Sequence, residues 1–387
     1  MKLLILLSRV PYPLEKGDKL RAFNHIRYLS KHYEITLVAL NDEKLHPAAI
    51  STLGKFCKEI HIIHLSKFTI FLNLIKAVFT RNPFSVAYFY SWRIKNKIIQ
   101  IIENTSPDHI FCQLIRMSEY VKYVNIPKTL DYQDVFSKGM DRRLNASPWF
   151  LKPLFRVEYK RLLNYERYIF DYFDNKIIIS EADKKFIDHP FKNQIHVVSN
   201  GVDTKYFQQF DEEKEFDLLF TGNMNYPPNI NCVSFLVKDI LPEILKVKPN
   251  VRLLIAGTNP SSQVLSLQSA NVEVSGWVED MRRCYAKSRI FIAPMLIGTG
   301  LQNKLLEAMA MQLPCVTSSL ANSSLHAEEN KEILVGIQIS DYVNHVLHLL
   351  NNPAKANEIA MNGLKFIERN YNWEKHTDKI YQLIKHK

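Results

Sequence analysis

The feature that most constrains the fold is an alternation of short apolar runs with amphipathic segments, which occurs twice along the chain. The first series of runs is KLLILLS, YEITLVAL, EIHIIHL, DHIFCQL, IPKTLDY and NKIIIS, and the second is FDLLFTG, VRLLIAG, VEVSGWV, IFIAPM, LPCVTS and KEILVG. Nearly continuous apolar runs are typical of parallel strands that are covered on both faces by helices. The sequence therefore predicts an α/β protein with two doubly wound, Rossmann-like domains.

The point between the two series marks a domain boundary. A chain of 387 residues is longer than one hydrophobic core usually accommodates. The Asn-Gly pair at 200–201 and the acidic run after it interrupt the strand pattern. We therefore predict a domain at residues 1–200 and a second at 201–387, facing each other across a cleft. The final segment, about 371–387, is predicted to be a helix that packs back toward the first domain.

The positive charge of the chain belongs to its first half. Residues 1–200 contain 31 Lys and Arg against 19 Asp and Glu, whereas residues 201–387 contain 19 against 20, within a net charge of +11. A basic half indicates a nucleic acid partner, an anionic membrane surface or a solvated face. Because no helix-turn-helix, zinc-finger or RNP-type motif is present, no nucleic acid partner is expected.

Two apolar segments raise the question of membranes. The N-terminal MKLLILLSRVPYP resembles a signal peptide, but Arg9 and two prolines favour a buried first strand. The run 68–79 is shorter than the ~18 residues that span a bilayer. With Lys67, Lys76 and Arg81 it predicts either a helix on a membrane surface or a helix pair buried in the first domain. We expect a cytoplasmic chain, either free or peripheral on the inner membrane.

The cysteines and histidines indicate no metal site. The five cysteines are far apart, form no CxxC pair and have no histidine at metal-ligand spacing, and the 13 histidines form no HExxH-like cluster. The sequence therefore predicts reduced thiols, most of them in the core.

Small polar residues follow four strands of the second series. The segments are TGNMNYPPN, GTNPS, GWVED and IGTGLQNK. Open parallel sheets bind ligands outside the carboxyl ends of their strands. We therefore predict a binding site at this edge of the second sheet.

The last of these segments opens a helix in a way that suits an anion. In GTGLQNKLLEAMAMQLP, Gly298 and Gly300 allow unusual backbone conformations ahead of a helix expected to begin near Leu301. Free amides at such an end attract phosphate. We predict that the backbone of Gly300, Leu301 and Gln302 holds a diphosphate together with Lys304.

Glu307 follows Lys304 by three residues, so both side chains lie on neighbouring faces of the helix. A carboxylate accepts hydrogen bonds from the vicinal hydroxyls of a ribose. The pattern therefore predicts a nucleoside diphosphate ligand, although similar Lys and Glu pairs are common on surface helices.

The run GLQNKLLEAMAMQLPCVTS resembles the C-terminal signature of the retaining GT-B glycosyltransferases of family four. Further segments resemble this family in order and spacing: SNGVDTKYF at the domain junction, FTGNMNYPPNI, VEVSGWVEDMRRCYAKSRIFIAPM and YNWEKH. The resemblance covers residues 195–387. The first half is similar more loosely, and the branch that it most resembles contains bacterial exopolysaccharide sugar transferases.

The resemblance implies a GT-B fold and a metal-independent enzyme without a cofactor. It implies transfer of a hexose-like sugar from a UDP- or GDP-sugar to a hydroxyl of a lipid-linked or glycan acceptor, with retention of configuration, in polysaccharide synthesis. Two alternatives stay open: a GT-B epimerase acting on the nucleotide sugar, and a non-catalytic module that binds it.

Residue by residue, the resemblance adds candidates to the site. It places Gly17 and Asn223 at the diphosphate and Trp277 and Val278 at the base. Asn223 is equally consistent with a turn residue and Trp277 with a core residue. Asp134 is the candidate for a catalytic contact near the reacting centre, beside Lys304. Asp131 and Asp18 compete for that role, as does a capping or surface role.

The chain departs from the family pattern at three places. Thr299 replaces the first acid of a Glu-x7-Glu pair, and Gln133 stands where many members have His. Asn223 and Asn229 stand where many members have Arg and Lys. Lys304 is therefore expected to carry more of the charge toward the diphosphate, with help from one of three cations of the first domain: Arg9, Lys19 or Arg21.

Overall fold

The computed structural model describes residues 1–14, 16–297 and 300–385, which divide into two compact units. The first unit contains residues 1–199 and 373–387, and the second contains residues 200–372. Gly298 and Thr299, which entered the sequence argument, lie outside the described residues.

The first unit is built on a parallel sheet of seven strands in the order β3-β2-β1-β4-β5-β6-β7. The strands are β1 (Lys2–Leu7), β2 (Glu34–Asn41), β3 (Glu59–His64), β4 (His109–Gln113), β5 (Lys128–Gln133), β6 (Asn175–Ile178) and β7 (Ile195–Val197). The helices are α1 (Gly17–Leu29), α2 (Ala49–Leu53), α3 (Lys67–Val78), α4 (Phe84–Ala87), α5 (Trp92–Thr105), α6 (Ser118–Val121), α7 (Phe136–Ala146), α8 (Lys152–Phe170) and α9 (Glu181–Phe186). Two short 3-10 helices lie at Ile115–Met117 and Lys192–Gln194.

The second unit repeats this architecture with six parallel strands in the order β10-β9-β8-β11-β12-β13. The strands are β8 (Phe216–Thr221), β9 (Leu253–Ala256), β10 (Val272–Gly276), β11 (Ser288–Ala293), β12 (Cys315–Ser318) and β13 (Leu334–Gly336). The helices are α10 (Pro227–Phe235), α11 (Leu241–Val247), α12 (Ser262–Leu265), α13 (Met281–Ala286), α14 (Asn303–Ala310), α15 (Ser319–Leu325), α16 (Ile339–Asn351) and α17 (Pro353–Asn370). A π-helical turn, Leu236–Ile240, joins α10 to α11.

The strands form where the apolar runs predict them. The β1 residues Leu3 to Leu7 are almost completely buried, as are the strands on either side of it. Such strands lie between helices on both faces, which explains why their sequences are apolar without alternation. Two doubly wound parallel sheets were predicted, and this prediction is confirmed.

The last described helix, α18 (Trp373–Lys385), belongs to the first unit. Ile380 and Ile384 are buried in the core cluster that also contains Leu3, Ile5 and Leu7. Where α18 packs against α1, His25 Nδ1 lies 3.0 Å from the hydroxyl of Thr377. Grooves of about 580 and 300 Å³ flank α18, and none of the predicted site residues lines them. The core of the first unit is therefore made from two separate stretches of the chain.

All five cysteines are free and buried, as predicted for core thiols. Burial raises the pKa of Cys57 and Cys232 to about 12 each, so both are thiols at neutral pH. Within the described ranges, no helix combines the length and the apolar character needed to cross a bilayer.

Candidate functional site

Strands β8, β9, β10 and β11 are neighbours in the second sheet and run parallel, so the loops after them share one edge. These are the four loops that the sequence predicts to form a site. The strand order of this sheet reverses at β8, which pairs with β9 on one side and with β11 on the other. Open α/β sheets bind their ligands at such a switch point.

Glycines bring the first two of these loops into backbone contact. Gly222 and Gly257 follow β8 and β9 with φ values of 154° and 147°, a range that favours glycine. A Cβ atom on Gly257 would lie 1.7 Å from the carbonyl oxygen of Gly222, so no side chain fits there. The two loops therefore pack main chain against main chain at this edge, where neither glycine has room for a side chain.

Lys304 is held at this edge by the loop after β8. Its Nζ donates to Oδ1 of Asn229 at 2.5 Å, and Nδ2 of Asn229 donates to the carbonyl of Asn223 at 2.9 Å. A methyl group on Gly222 would lie 3.3 Å from the Lys304 Nζ. The lysine of α14 is thus fixed beside the glycine turn 82 positions earlier in the chain by a neutral amide.

The charge of Lys304 is not neutralised by an acid. Among the described residues, no carboxylate lies within ion-pairing distance of its nitrogen, which instead lies 4.4 Å from the centre of the Phe220 ring. Burial lowers the pKa of Lys304 to about 8, opposed by Cys232 and Glu307. An ammonium group in this situation gains from a bound anion, because the anion supplies the missing countercharge.

Glu307 lies one turn further along α14 and is held by a tyrosine that the sequence analysis did not identify. The hydroxyl of Tyr285 donates to Oε2 of Glu307 at 2.9 Å and lies 2.9 Å from the hydroxyl of Thr221. Burial raises the pKa of Glu307 to about 7, while the Tyr285 hydrogen bond and Lys304 oppose the rise. The carboxylate keeps its second oxygen for a ligand donor.

The start of α14 differs from the expectation. The helix begins at Asn303 rather than near Leu301, and Leu301 packs partly against the core. Gln302 precedes the first turn, and its Nε2 donates to the carbonyl of Gly300 at 2.9 Å. Gly300, Leu301 and Gln302 therefore form the approach to the helix and not its first turn, because the bond from the Gln302 side chain to the Gly300 carbonyl holds them outside the helix.

The remaining candidates of the second unit are placed as follows. Asn223 is exposed, and its Oδ1 accepts from the amide of Asn225 at 3.0 Å, which is the geometry of a turn residue. Trp277 is 63% exposed, so the alternative that it is a core residue is wrong. Val278 packs partly against the core next to it. Both follow Gly276 at the end of β10, at the same sheet edge as Lys304.

Three residues considered for the reaction or for the diphosphate are structural. Arg21 is fully buried and grips Asp131 with two hydrogen bonds of 2.6 and 3.2 Å, and its third donor reaches the carbonyl of Val198. Arg21 as a diphosphate ligand and Asp131 as a catalytic residue are therefore corrected, because neither side chain reaches solvent. Asp18 pairs with Arg9 at 3.1 Å.

Gly17 and Asp134 lie at the carboxyl edge of the first sheet. Gly17 is the first residue of α1, and a Cβ on it would meet open space. Asp134 follows β5 with its side chain exposed, although the protein packed around it and the nearby Asp183 raise the pKa of its carboxyl to about 6. Lys19 is largely buried, with its Nζ 3.8 Å from Glu43.

Comparison with known proteins adds to this geometry. Residues 215–352 match the family model described as glycosyl transferases group 1. A Klebsiella pneumoniae protein described as an uncharacterized 44.6 kDa protein in the cps region is 23% identical over 411 residues, which cover 98% of this chain and 99% of that protein.

Solved structures resemble the chain over its whole length. Sucrose-phosphate synthase from Thermosynechococcus elongatus has a TM-score of 0.70 at 14% identity, covering 100% of this chain and 99% of its own. HepE from Anabaena, solved with UDP and also with UDP-glucose, reaches 0.72 at 12% identity and full coverage of both chains in the UDP complex. WaaG, a glycosyltransferase involved in lipopolysaccharide biosynthesis, reaches 0.66 at 13% identity with 99% coverage of each chain. These likenesses concern the fold, and they confirm the predicted GT-B architecture of two Rossmann-like domains.

Proposed function

We propose that this chain, whose residues 215–352 match the glycosyl transferases of group 1 and whose fold is GT-B, is a glycosyltransferase that uses a nucleoside diphosphate sugar. The observation that carries the proposal is Lys304, held beside Gly222 through Asn229 with no carboxylate at ion-pairing distance among the described residues. Such a cation beside a glycine turn at a sheet edge suits a diphosphate, and Glu307 on the same helix suits the ribose next to it.

The residues of the second unit then divide the donor between them. Lys304, the approach segment Gly300, Leu301 and Gln302, and the exposed Asn223 contact the diphosphate. Glu307 accepts hydrogen bonds from the ribose hydroxyls, with its free oxygen turned to the ligand. The exposed indole of Trp277 covers the base together with Val278, because an aromatic face stacks on a base without selecting it strictly.

Lys304 contributes chemistry as well as affinity. When the bond between the anomeric carbon and the diphosphate oxygen breaks, negative charge grows on the leaving diphosphate, and a fixed cation stabilises that charge most in the transition state. The acceptor oxygen forms the new bond on the face from which the diphosphate leaves, and its proton passes to a departing phosphate oxygen. The configuration is thereby retained, and no metal ion is required for the charge that Lys304 carries.

The first unit supplies the acceptor side in this proposal. Asp134 contacts the reacting hydroxyl and orients it, and Gly17 lets a phosphate approach the start of α1. An Asp134→Asn variant keeps the shape and removes the charge, so we expect turnover to fall while the affinity for the nucleotide stays within twofold.

The finer identity of the substrates rests on the relatives. HepE was solved with UDP and UDP-glucose, which supports a UDP-hexose donor. WaaG is involved in lipopolysaccharide biosynthesis, and the Klebsiella relative belongs to a cps region. We propose a lipid-linked or glycan acceptor in bacterial surface polysaccharide synthesis.

A lipid-linked acceptor requires contact with a membrane, and α3 supplies a surface for it. Its outer face, which we call the α3 face, exposes six apolar side chains in the following order: Phe68, Phe71, Leu72, Ile75, Val78 and Phe79. Phe68 is 71% and Phe79 86% exposed, so the alternative of a buried helix pair is wrong. Exposed cations flank the α3 face at Lys67, Lys76 and Arg81. Apolar residues bordered by cations suit the surface of an anionic bilayer.

The experiment that tests the function is incubation of the full chain with UDP- and GDP-sugars, followed by analysis of both nucleotide and sugar. Slow release of nucleoside diphosphate by hydrolysis is the expected result, because water replaces the missing acceptor. An altered sugar still joined to its nucleotide would identify an epimerase. Binding without any conversion would identify a non-catalytic module and overturn the proposal.

A further inference from the structure

The carboxyl edge of the first sheet holds a group of arginines that the proposed donor site does not use. Strands β1, β4 and β5 are adjacent and parallel, and the switch point of the sheet lies between β1 and β4. Arg9 follows β1, Arg116 lies in the 3-10 helix after β4, and Asp134 follows β5. The edge is therefore charged where a doubly wound sheet usually binds a ligand.

Arg116 lies between two aromatic rings and has no acidic partner. Its guanidinium carbon is 5.3 Å from the centre of the Phe89 ring and 4.7 Å from that of Phe136. Its Nε is buried without a hydrogen-bond partner, and within the described part of the chain no carboxylate lies at ion-pairing distance from it. Burial, followed by the charge of Arg9, lowers the pKa of Arg116, while Asp18, Asp134 and Asp42 oppose the shift from beyond ion-pairing distance. A desolvated cation that lacks a partner is costly to the fold unless a ligand completes it.

Arg142, on α7, also has a buried Nε without a hydrogen-bond partner. Arg116 and Arg142 both favour the charged form of Asp134, so both guanidinium groups lie within electrostatic range of this carboxyl. The other acid near Arg142, Asp183, already accepts the hydroxyl of Ser180 at 2.5 Å. Two arginines with an unpartnered buried Nε thus share this edge of the sheet with one exposed carboxylate.

The backbone before two of these side chains is strained. Leu114 and Gln133 have φ values of 67° and 63°, and they precede Arg116 and Asp134 by two residues and one residue. Neither residue is a glycine, so both conformations cost free energy, and such residues cluster at binding and active sites. The chain is therefore bent at the ends of β4 and β5 in a way that presents these two side chains.

We propose that Arg116 and Arg142 form a subsite for an anionic group of the acceptor, either a carboxylate or a phosphate, beside Asp134. The planar guanidinium of Arg116, fixed between Phe89 and Phe136, presents paired N–H donors that match both groups. The anion accepts from guanidinium N–H donors of these arginines and brings a neighbouring hydroxyl next to Asp134. Naming this group as part of the acceptor rests on the proposed function, whereas the binding of an anion does not.

The test compares three monosaccharides that differ in charge: methyl glucoside, methyl glucuronide and glucose 1-phosphate. Their dissociation constants for the full chain are measured by ligand-observed NMR in the presence of saturating UDP, so that the donor site is filled. We expect at least one charged sugar to bind ten times more tightly than methyl glucoside. Preference for the glucuronide indicates an acidic sugar, and preference for the phosphate indicates a phosphorylated or lipid-linked one. Equal binding of all three would overturn the subsite.

Variants assign the effect to the two arginines. Arg116→Gln and Arg142→Gln are each expected to weaken the preferred charged sugar about tenfold, down to the affinity of methyl glucoside. Arg93→Gln, which removes an exposed arginine of α5, is the matched control and should change nothing. A loss of UDP affinity as large as the loss of sugar affinity would make Arg116 a donor contact and overturn the proposal.

Two further readouts separate the possible failures. The unliganded Arg116→Gln variant should melt at or above the temperature of the wild type, because it removes an unpaired cation. A much lower melting temperature would make Arg116 structural, and the Arg142→Gln result then decides the subsite. UDP binding and sugar-nucleotide hydrolysis are measured on the same samples. A chain that prefers charged sugars but ignores UDP keeps the subsite and loses the proposed function, and the reverse result removes only the subsite.

Discussion

The two sheets have the same parallel topology, yet their carboxyl edges differ in kind. At the edge of the second sheet, Gly222 packs against Gly257 through the main chain, and an amide holds the side chain of Lys304. The edge of the first sheet is crowded with side chains, among them Arg116 between two rings. The difference shows that the topology fixes where a ligand lies, whereas the residues after the strands decide its chemistry. In the proposed function, the glycine edge of the second sheet binds the diphosphate of the donor, and the side-chain edge of the first sheet binds the acceptor.

Among the substitutions at the carboxyl edge of the second sheet, the loss of Lys304 should reduce activity most strongly. For Lys304→Ala we expect turnover to fall on the order of 10² to 10³-fold, because the leaving diphosphate loses its fixed cation in the transition state. Single-turnover release of nucleoside diphosphate measures the effect, with Lys238→Ala, an exposed lysine of the same unit, as control. Weaker donor binding with unchanged turnover would show that Lys304 acts in the ground state only.

The positive charge of residues 1–200 makes the outer surfaces of the two units different as well. Replacing Lys67, Lys76 and Arg81 together by Gln should weaken binding of the full chain to anionic vesicles by about 3 kcal/mol, at about 1 kcal/mol for each cation near the surface. Sedimentation at low salt measures this, and about 0.5 M salt should release the wild type because the Debye length shrinks to a few Å.

The matched control for the vesicle experiment is the triple replacement of Lys205, Lys238 and Lys365, three exposed lysines of the second unit, by Gln. This variant should sediment like the wild type. Phe71→Ser with Phe79→Ser should also weaken binding, because both rings belong to the α3 face. A wild-type chain that ignores anionic vesicles at low salt would make the positive charge a solvated face and favour a soluble acceptor.

Glu307 tests a single proposed contact at the carboxyl edge of the second sheet, the one with the ribose. Glu307→Gln keeps the shape but loses the charge-assisted bonds to the ribose, so donor affinity should fall by about 1.5 to 3 kcal/mol. Calorimetric titration with UDP measures the change, and Glu329→Gln, at an exposed position of the same unit, serves as control. Wild-type affinity in the Glu307 variant would refute the ribose assignment.

The two pKa values at the second edge predict a narrow pH window for UDP binding. Burial lowers the pKa of Lys304 to about 8, so the ammonium is lost as the pH rises through 8. Burial raises the pKa of Glu307 to about 7, so the carboxylate is lost as the pH falls through 7. Affinity should be highest between these values and fall by up to about tenfold per pH unit outside them. Lys304→Ala should lack the alkaline limb and Glu307→Gln the acid limb, and identical profiles in all three proteins would contradict the assignment.

Tyr285 is a positioning residue with the smallest expected effect. Tyr285→Phe removes the donor to Glu307, so UDP affinity should fall by about 0.5 to 1.5 kcal/mol. Because that hydrogen bond lowers the pKa of Glu307, its loss should also move the acid limb toward higher pH. Tyr371→Phe removes another buried hydroxyl, which donates to the carbonyl of Leu325, and should leave the limb in place. An unmoved limb in the Tyr285 variant would make the tyrosine merely structural.

The sequence predicts most of the fold because its signals are local. Apolar runs mark all strands except β7, whose three residues, Ile195–Val197, are too few to show a period. Lys304 and Glu307 were found because a glycine-opened helix carries both within one turn. The helix start was misplaced by two residues because an extended approach and a first turn have similar compositions.

The sequence pattern does not predict contacts between residues that are far apart in the chain. The bond between Lys304 and Asn229 spans 75 positions, and Asn229 was noticed only as a departure from a family pattern. The sequence does not identify Arg116, because the two rings that it contacts belong to the distant residues Phe89 and Phe136. No residue next to Arg116 in the sequence indicates these contacts. A single signal was available: Arg116 lies three residues after a buried strand, at the edge where open parallel sheets bind ligands.

The return of α18 to the first unit has a consequence for how the chain is made. The core around Leu3 and Ile5 is complete only when Ile380 and Ile384 have been synthesised, whereas residues 200–372 leave the ribosome earlier as one uninterrupted unit. Domains usually fold during synthesis in order from the N-terminus. In this chain the first unit has no such lead, because part of its apolar interior stays uncovered until the last helix has been made. Truncation before Trp373 would therefore leave the earlier-made unit as the one unable to finish folding.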